Sequence, residues 1–149
     1  MSCARNELGV TERTGNNDGE RVEQYLSSTG LGKGHPWCAA VMAFIFGLCW
    51  EDSPKSAYCP DWFKGDNVIY RRGSNKNDFS VCREGDLFGI WFSDKGRIAH
   101  MGMIETVDGQ KVTTLEGNTN DAGSRDGEGF YRKYRLKSQI YAVSNHVKE

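Results

Sequence analysis

Gly34-His35-Pro36-Trp37-Cys38-Ala39-Ala40-Val41-Met42-Ala43-Phe44-Ile45-Phe46-Gly47-Leu48-Cys49-Trp50 decides how this chain folds. Pro36 suits the first turn of a helix, where its missing N–H costs nothing. The segment after it is apolar on every side. Such a helix has no face to offer to water, so it is expected to be the buried centre of the domain. Its apolar run, Ala39 to Trp50, is too short to cross a bilayer.

On the N-terminal side, Ala4 to Val10 reads as a short helix and Gly15-Asn16-Asn17-Asp18-Gly19 as a loop. Glu20 to Ser28 reads as a helix with Val22, Tyr25 and Leu26 on one face, closed by a left-handed Gly30. On the C-terminal side, Glu51 to Ser80 is expected to be irregular, with a short helix near Asp66 to Arg72. Strands are expected at Leu87–Phe92, Ile98–Val107, Lys111–Glu116, Phe130–Leu136 and Ile140–Val143. Asp108-Gly109 marks a hairpin turn, and Gly117 to Gly129 a loop. Helices first and antiparallel strands after is the α+β pattern, with about five strands in the sheet.

The 149 residues make one domain with a sizeable core, and the absence of repeats or a Pro/Ser-rich linker agrees. Nineteen basic and twenty acidic residues nearly cancel. That balance excludes a general nucleic-acid or membrane-surface binder. Met1 to Glu7 lacks the apolar core of a signal peptide. The five cysteines, Cys3, Cys38, Cys49, Cys59 and Cys82, include no CxxC pair, so a structural zinc site is not expected. In any full pairing scheme one thiol is left over.

Cys38 is the most informative of the five. It stands at the start of the greasy helix, where free N–H groups and partial positive charge stabilise a thiolate and can hold an oxyanion. A buried cysteine that merely packs is the bland alternative, and Cys49 on the same helix fits it. A thiolate needs a base, and a base needs an orienter. His146 is expected to face solvent. His35 is close to Cys38, but the Pro-Trp turn points it elsewhere, where it can line the site. His100 lies in a strand, and Glu116 and Asn118 on the neighbouring strand share one face. Hairpin register decides whether that face is also the face of His100. A two-residue Asp108-Gly109 loop pairs Val107 with Gln110 and sets His100 opposite Gly117, with both polar residues on the wrong side. An odd-length turn, or a bulge beside Gly109, sets His100 opposite Asn118 with Glu116 diagonal to it, and this is the expected arrangement.

Colder signals complete the reading. Trp37 adjoins the nucleophile and is the aromatic expected to stack on a sugar. Trp62 and Trp91 are more ordinary core candidates. Asn16 and Asn17 can hydrogen-bond a glycan or peptide, or simply make a turn. Arg125, Arg132, Lys133, Arg135 and Lys137 make a basic face, either solvated or attractive to an anionic surface. Asp86 is expected to cap a turn. Cys59 and Cys82 lie outside the proposed site and are a candidate pair.

Pro36-Trp37-Cys38-Ala39-Ala40, Gly85-Asp86-Leu87-Phe88, His100-Met101-Gly102-Met103-Ile104 and Leu115-Glu116-Gly117-Asn118-Thr119 occur in that order. Together they resemble the CHAP family of cysteine- and histidine-dependent amidohydrolases/peptidases, relatives of NlpC/P60 enzymes in the papain-like group. Glu7-Leu8-Gly9-Val10-Thr11-Glu12 with Gly15-Asn16-Asn17 is similar to one CHAP subgroup. The resemblance implies a papain-like fold and peptidoglycan as substrate, with an amide bond cleaved, as by a muramoyl-alanine amidase or a stem-peptide or cross-bridge endopeptidase. It casts Cys38 as nucleophile, His100 as base and Glu116 as third member, with Asn118 assisting or replacing it. The calcium loop of some members has no counterpart in the spacing of Asn16, Asn17, Asp18 and Glu20, so no metal or cofactor is expected. Acting as a monomer, the enzyme would reach the wall by phage lysis or through a secretion system, and an immunity protein would be its partner if it is a toxin. Two other readings stay open. One is a non-catalytic relative that binds peptidoglycan or a partner; the other is a papain-like peptidase on a different amide.

Overall fold

The computed structural model describes residues 1–50, 53–119 and 128–147. Three helices come first: α1 (Ser2–Arg5), α2 (Glu20–Ser27) and α3 (Cys38–Cys49). The α1 helix is shorter than the stretch to Val10 that the sequence suggests. Val22, Tyr25 and Leu26 are the buried face of α2, as their spacing predicts. Past its end Gly30 takes φ +82°, and the Leu31 N–H donates back to the Leu26 carbonyl at 2.9 Å. This left-handed residue closes the helix.

The α3 helix buries eight of its 12 residues. Pro36 precedes it rather than opening it: Trp37 has non-helical φ −126° and ψ 15°, and Cys38 is the first helical residue. A Cys3–Cys49 disulfide ties α1 to the far end of α3, so Cys49 is a staple and not an idle packing residue.

Where a short helix was expected near Asp66–Arg72, a single 3₁₀ turn (Gly65–Asn67) leads into strand β1 (Val68–Arg71). Four residues are too few for periodicity to separate a strand from a helical turn, and here pairing with the last strand decides. Then follow β2 (Leu87–Phe92), β3 (Arg97–Asp108), β4 (Lys111–Thr119), β5 (Gly129–Leu136) and β6 (Ala142–Ser144). The class is α+β, and the antiparallel sheet has six strands in the order β1-β6-β2-β3-β4-β5. Leu87, Met101, Met103 and Leu115 pack in the same core as α3, while Phe88, Ile104, Val112, Ile140 and Val143 form a second core with Tyr70 and Phe79. The N-terminal segment runs beside β5: Gly9 and Phe130 are bonded, and Thr11 bridges Gly129.

The β3–β4 register positions the polar residues. Asp108 pairs with Lys111 around a Gly109-Gln110 turn, with Gly109 at φ +58°, so Asp108 belongs to the ladder and not to the turn. The register then shifts between Ile104 and Thr106, which leaves Glu105 as a bulge. Beyond it Met103 pairs with Leu115, and continuing that register sets His100 opposite Asn118. The expected face is reached by a bulge four residues from Gly109 rather than beside it. Glu105 explains the position: its buried carboxylate accepts hydrogen bonds from Arg5 and Arg132, which hold the extra residue in place.

Candidate functional site

The start of α3 is fixed from beneath. The Trp37 indole N–H donates to Glu12 Oε2 at 2.7 Å, and its ring stacks on Tyr25 with centroids 5.6 Å apart. Trp37 is fully buried, so the expectation that it stacks on a sugar is corrected: the ring anchors the residue before Cys38 instead. Glu12 Oε1 also accepts the Asn17 N–H at 3.0 Å, and the Asn17 carbonyl accepts the Gly34 N–H at 2.9 Å. Asn16 donates to Thr14 Oγ1. Neither Asn16 nor Asn17 lines the cleft beside Cys38. They brace the loop that leads to it, and Asn17 at φ 57° shows why a turn-forming residue stands there. Cys38 therefore begins a rigid helix, and the N–H groups of its first turn have no carbonyl within the helix to bond.

His100 is 1% exposed, and its Nε2 lies 2.7 Å from Glu116 Oε1. Glu116 is fully buried and accepts two further bonds from Arg135 (Nη2 to Oε1 at 2.6 Å, Nε to Oε2 at 2.7 Å) and one from the Thr114 hydroxyl. Burial alone would raise the Glu116 pKa, but the bonds from Arg135 and His100 outweigh it and hold the carboxyl down at about 2. A carboxylate only accepts, so Nε2 must carry the proton in this bond. Among the described residues Nδ1 has no oxygen or nitrogen partner, and it is the ring nitrogen left for chemistry. Burial pulls the imidazole pKa down, and the Cys38 side chain and Glu116 together push it up to about 9. The structure thus brings Cys38, His100 and Glu116 together.

Two glycines in these strands are required by this packing. A Cβ on Gly102 would lie 2.7 Å from the Leu115 carbonyl oxygen and 2.8 Å from Glu116 Cγ. One on Gly117 would lie 2.6 Å from Val41 Cγ1 and 2.7 Å from Trp37. Asn118 is buried at φ 56°, next to the irregularity in the β4–β5 ladder, a backbone region Asn tolerates better than most residues. The ring nitrogen of His100 that meets a carboxylate meets Glu116.

A cleft of about 510 Å³ opens beside Cys38. Its walls include His35, Cys59, Tyr58, Lys55, Arg97 and Ala99, and among the described residues no carboxylate. Arg97 is half-buried, donates to the Ile98 carbonyl and lies 5.0 Å over the Tyr58 ring. Among the described residues neither Arg97 nor Lys55 has an ion-pair partner.

Sequence reasoning missed Arg135, Thr114 and Cys59. Arg135 was visible only as one of several bases; the β4–β5 ladder puts Val112 opposite Arg135 and Thr114 opposite Lys133, on the side of Glu116. The basic strand is therefore not a freely solvated face: Arg132 grips Glu105, and Lys137 lies over Phe79. Arg125 lies outside the described residues. Cys59 and Cys82 do not pair; Cys59 Sγ sits 3.5 Å from Cys38 Sγ, while Cys82 is buried in the second core. His146 does not face solvent, since it is buried with Nε2 on the Trp62 carbonyl. Trp62 is core, and Trp91 lies on the surface against Tyr141. Asp86 closes its turn by accepting the Arg83 N–H, as expected.

No family model matches the chain, and no curated protein matches it. Similar solved structures include two crystal structures of Ly7917, one of them with the hydrolyzing product of MDP. That one has a TM-score of 0.47 at 15% identity, covering 95% of this chain and 59% of the other. The second has a TM-score of 0.48 at 14% identity, covering 95% and 58%. The chain spans less than two thirds of the length of either. At these values the likeness assigns neither activity nor substrate.

Proposed function

We propose that this chain is a peptidoglycan hydrolase of the CHAP type with a papain-like fold, cleaving an amide bond by a cysteine nucleophile. The observation that carries the reading is the buried series from Cys38 through His100 to Glu116, in which a clamped carboxylate orients an imidazole beside a sulfur at a helix start. His100 takes the Cys38 proton, which gives a thiolate–imidazolium pair held by Glu116. The sulfur attacks the carbonyl carbon, and N–H groups of the first turn of α3 receive the oxyanion. Collapse expels the amine, which leaves with the His100 proton. Water activated by the neutral imidazole then hydrolyses the thioester.

The cleft supports an anionic substrate. The half-buried Arg97 guanidinium and the Lys55 ammonium, neither with an ion-pair partner among the described residues, suit the carboxylates of stem peptides. Arrival at the wall by phage lysis or a secretion system, and, for a toxin, an immunity protein that blocks the cleft, belong to the same proposal.

Mass spectrometry of products from purified peptidoglycan tests it. Expected are fragments with one new amine terminus per cut, which also identify the bond, and none from Cys38→Ala. No fragments from the parent protein, or equal release by Cys38→Ala, would overturn the reading. Cleavage confined to unrelated peptides would point to another amide substrate.

A further inference from the structure

The site holds a second sulfur that the hydrolytic cycle does not use. Cys59 Sγ lies 3.5 Å from Cys38 Sγ, and both residues are nearly enclosed, at 4% and 3% exposure. Attack, oxyanion binding, amine protonation and thioester hydrolysis leave Cys59 without a role. Its position is nonetheless firmly set. It opens a one-turn 3₁₀ element, Cys59–Trp62, whose Trp62 is fully buried and donates its indole N–H to the Ser56 carbonyl at 3.0 Å. Asp61 in the same turn accepts from Ser56 and Lys64. Two sulfurs at this separation need to close by roughly 1.5 Å to reach disulfide length.

We propose that Cys59 is the resolving partner of Cys38, and that a disulfide oxidant converts the pair into a Cys38–Cys59 disulfide that masks the nucleophile. The masking of activity rests on the hydrolase reading, whereas the cross-link does not. The Cys38 thiolate attacks one sulfur of a small-molecule disulfide, forming a mixed disulfide and expelling one thiolate. Cys59, losing its proton, attacks the Cys38 sulfur and expels the second thiolate. Two protein thiols lose two electrons, one external disulfide gains them, and the two thiol protons end on the two released thiols. A dithiol reductant reverses both steps. A hydroperoxide reaches the same product: it oxidises the Cys38 thiolate to a sulfenic acid and leaves as the alcohol or water, and the sulfenic acid condenses with the Cys59 thiol to the disulfide and water. Cys82 is no competitor. It lies in the other core, where burial, then the nearby Asp86 charge, pushes its thiol up to about 12.

The test equilibrates the full chain with oxidised and reduced glutathione at graded ratios, quenches with acid, alkylates and maps the cysteine peptides by mass. Peptidoglycan hydrolysis is measured on the same samples. The expected result is a Cys38–Cys59 linked peptide, distinct from the Cys3–Cys49 one, with activity falling in step with the linked fraction and returning with dithiothreitol. In Cys59→Ser, compared with its own reduced form, the same oxidant should leave glutathione attached to Cys38. Separate Cys38 and Cys59 thiols at oxidising ratios, or stable glutathione on Cys38 in the parent protein, would overturn the proposal. A cross-link in a protein whose reduced form cleaves no peptidoglycan would uphold the resolving pair and overturn the hydrolase reading. An active protein without a cross-link does the reverse.

Discussion

Glu105 on β3 and Glu116 on β4 are both buried carboxylates, and each is gripped through two nitrogens by an arginine of β5. Both are held at about 2, Glu105 first by its bonds to Arg132 and Glu116 by Arg135 and His100 against its own burial. They differ in the remaining partner. Glu105 takes a second arginine, Arg5, and the cluster locks a bulge. Glu116 takes an imidazole whose other nitrogen is left for the sulfur at the start of α3. One chemistry serves two ends. A carboxylate between permanent cations fixes backbone, and a carboxylate between one cation and a titrating ring fixes a protonation state.

The largest effect that separates the two is catalytic. Glu116→Gln is expected to lower peptidoglycan turnover by about 10²–10⁴-fold, since an amide no longer favours the imidazolium. Glu105→Gln should leave turnover within about threefold while costing roughly 1–3 kcal/mol of stability, as for an imperfectly replaced buried hydrogen-bonded charge. Equal turnover losses in the two variants, after denaturant titration confirms that both fold, would erase the distinction. The arginines sharpen it. Arg135→Met removes the main counter-charge of Glu116 and should cost about 3–5 kcal/mol. Arg132→Met should cost less, because Arg5 remains and the arginine it removes is 41% exposed. Urea unfolding of the two variants checks the order.

The pH dependence of stability gives a smaller signal. Both carboxyls are lowered, so their contributions are full above the ordinary carboxylate range and fade as the pH falls from about 4.5 towards 2. His100 is raised, so its contribution is full below about 6.5 and is lost as the pH climbs through about 9. Acid should therefore loosen both clusters, and mild alkali only the one at Glu116. A His100→Gln variant should flatten thermal stability between pH 6.5 and 9 and leave the acid limb in place. An unchanged alkaline limb would mean that another group sets it. Smallest of all, Arg97→Ala should raise KM about three- to tenfold with little change in kcat, the loss of one charge–carboxylate contact in a wet cleft. A kcat loss without a KM change would place Arg97 in the chemistry instead.

The sequence carried the helix of Ala39–Trp50 and the β2–β5 strands because long apolar runs and turn residues act locally. It also placed Cys38 at a helix start and, through an alternation argument about a hairpin, set Glu116 and Asn118 on the face of His100 without choosing between them. It could not carry β1, whose four residues become a strand only by pairing with β6, a partner some 70 residues away. Trp37 misled because adjacency in sequence says nothing of direction: its neighbour faces the cleft while the indole faces Glu12. Arg135 and Cys59 were hidden for the same reason as β1, since each becomes a partner of the site only through contacts distant in sequence.

The most direct measurement is the rate of iodoacetamide alkylation at each cysteine of the reduced protein as a function of pH, read by peptide mass. With the sulfur paired to a protonated imidazole, Cys38 should react on a plateau that begins well below the ordinary thiol range near 8.5, while Cys82 stays inert short of strong alkali. A Cys38 profile that rises only near 8.5, or that matches Cys82, would contradict the thiolate–imidazolium pair on which the account stands.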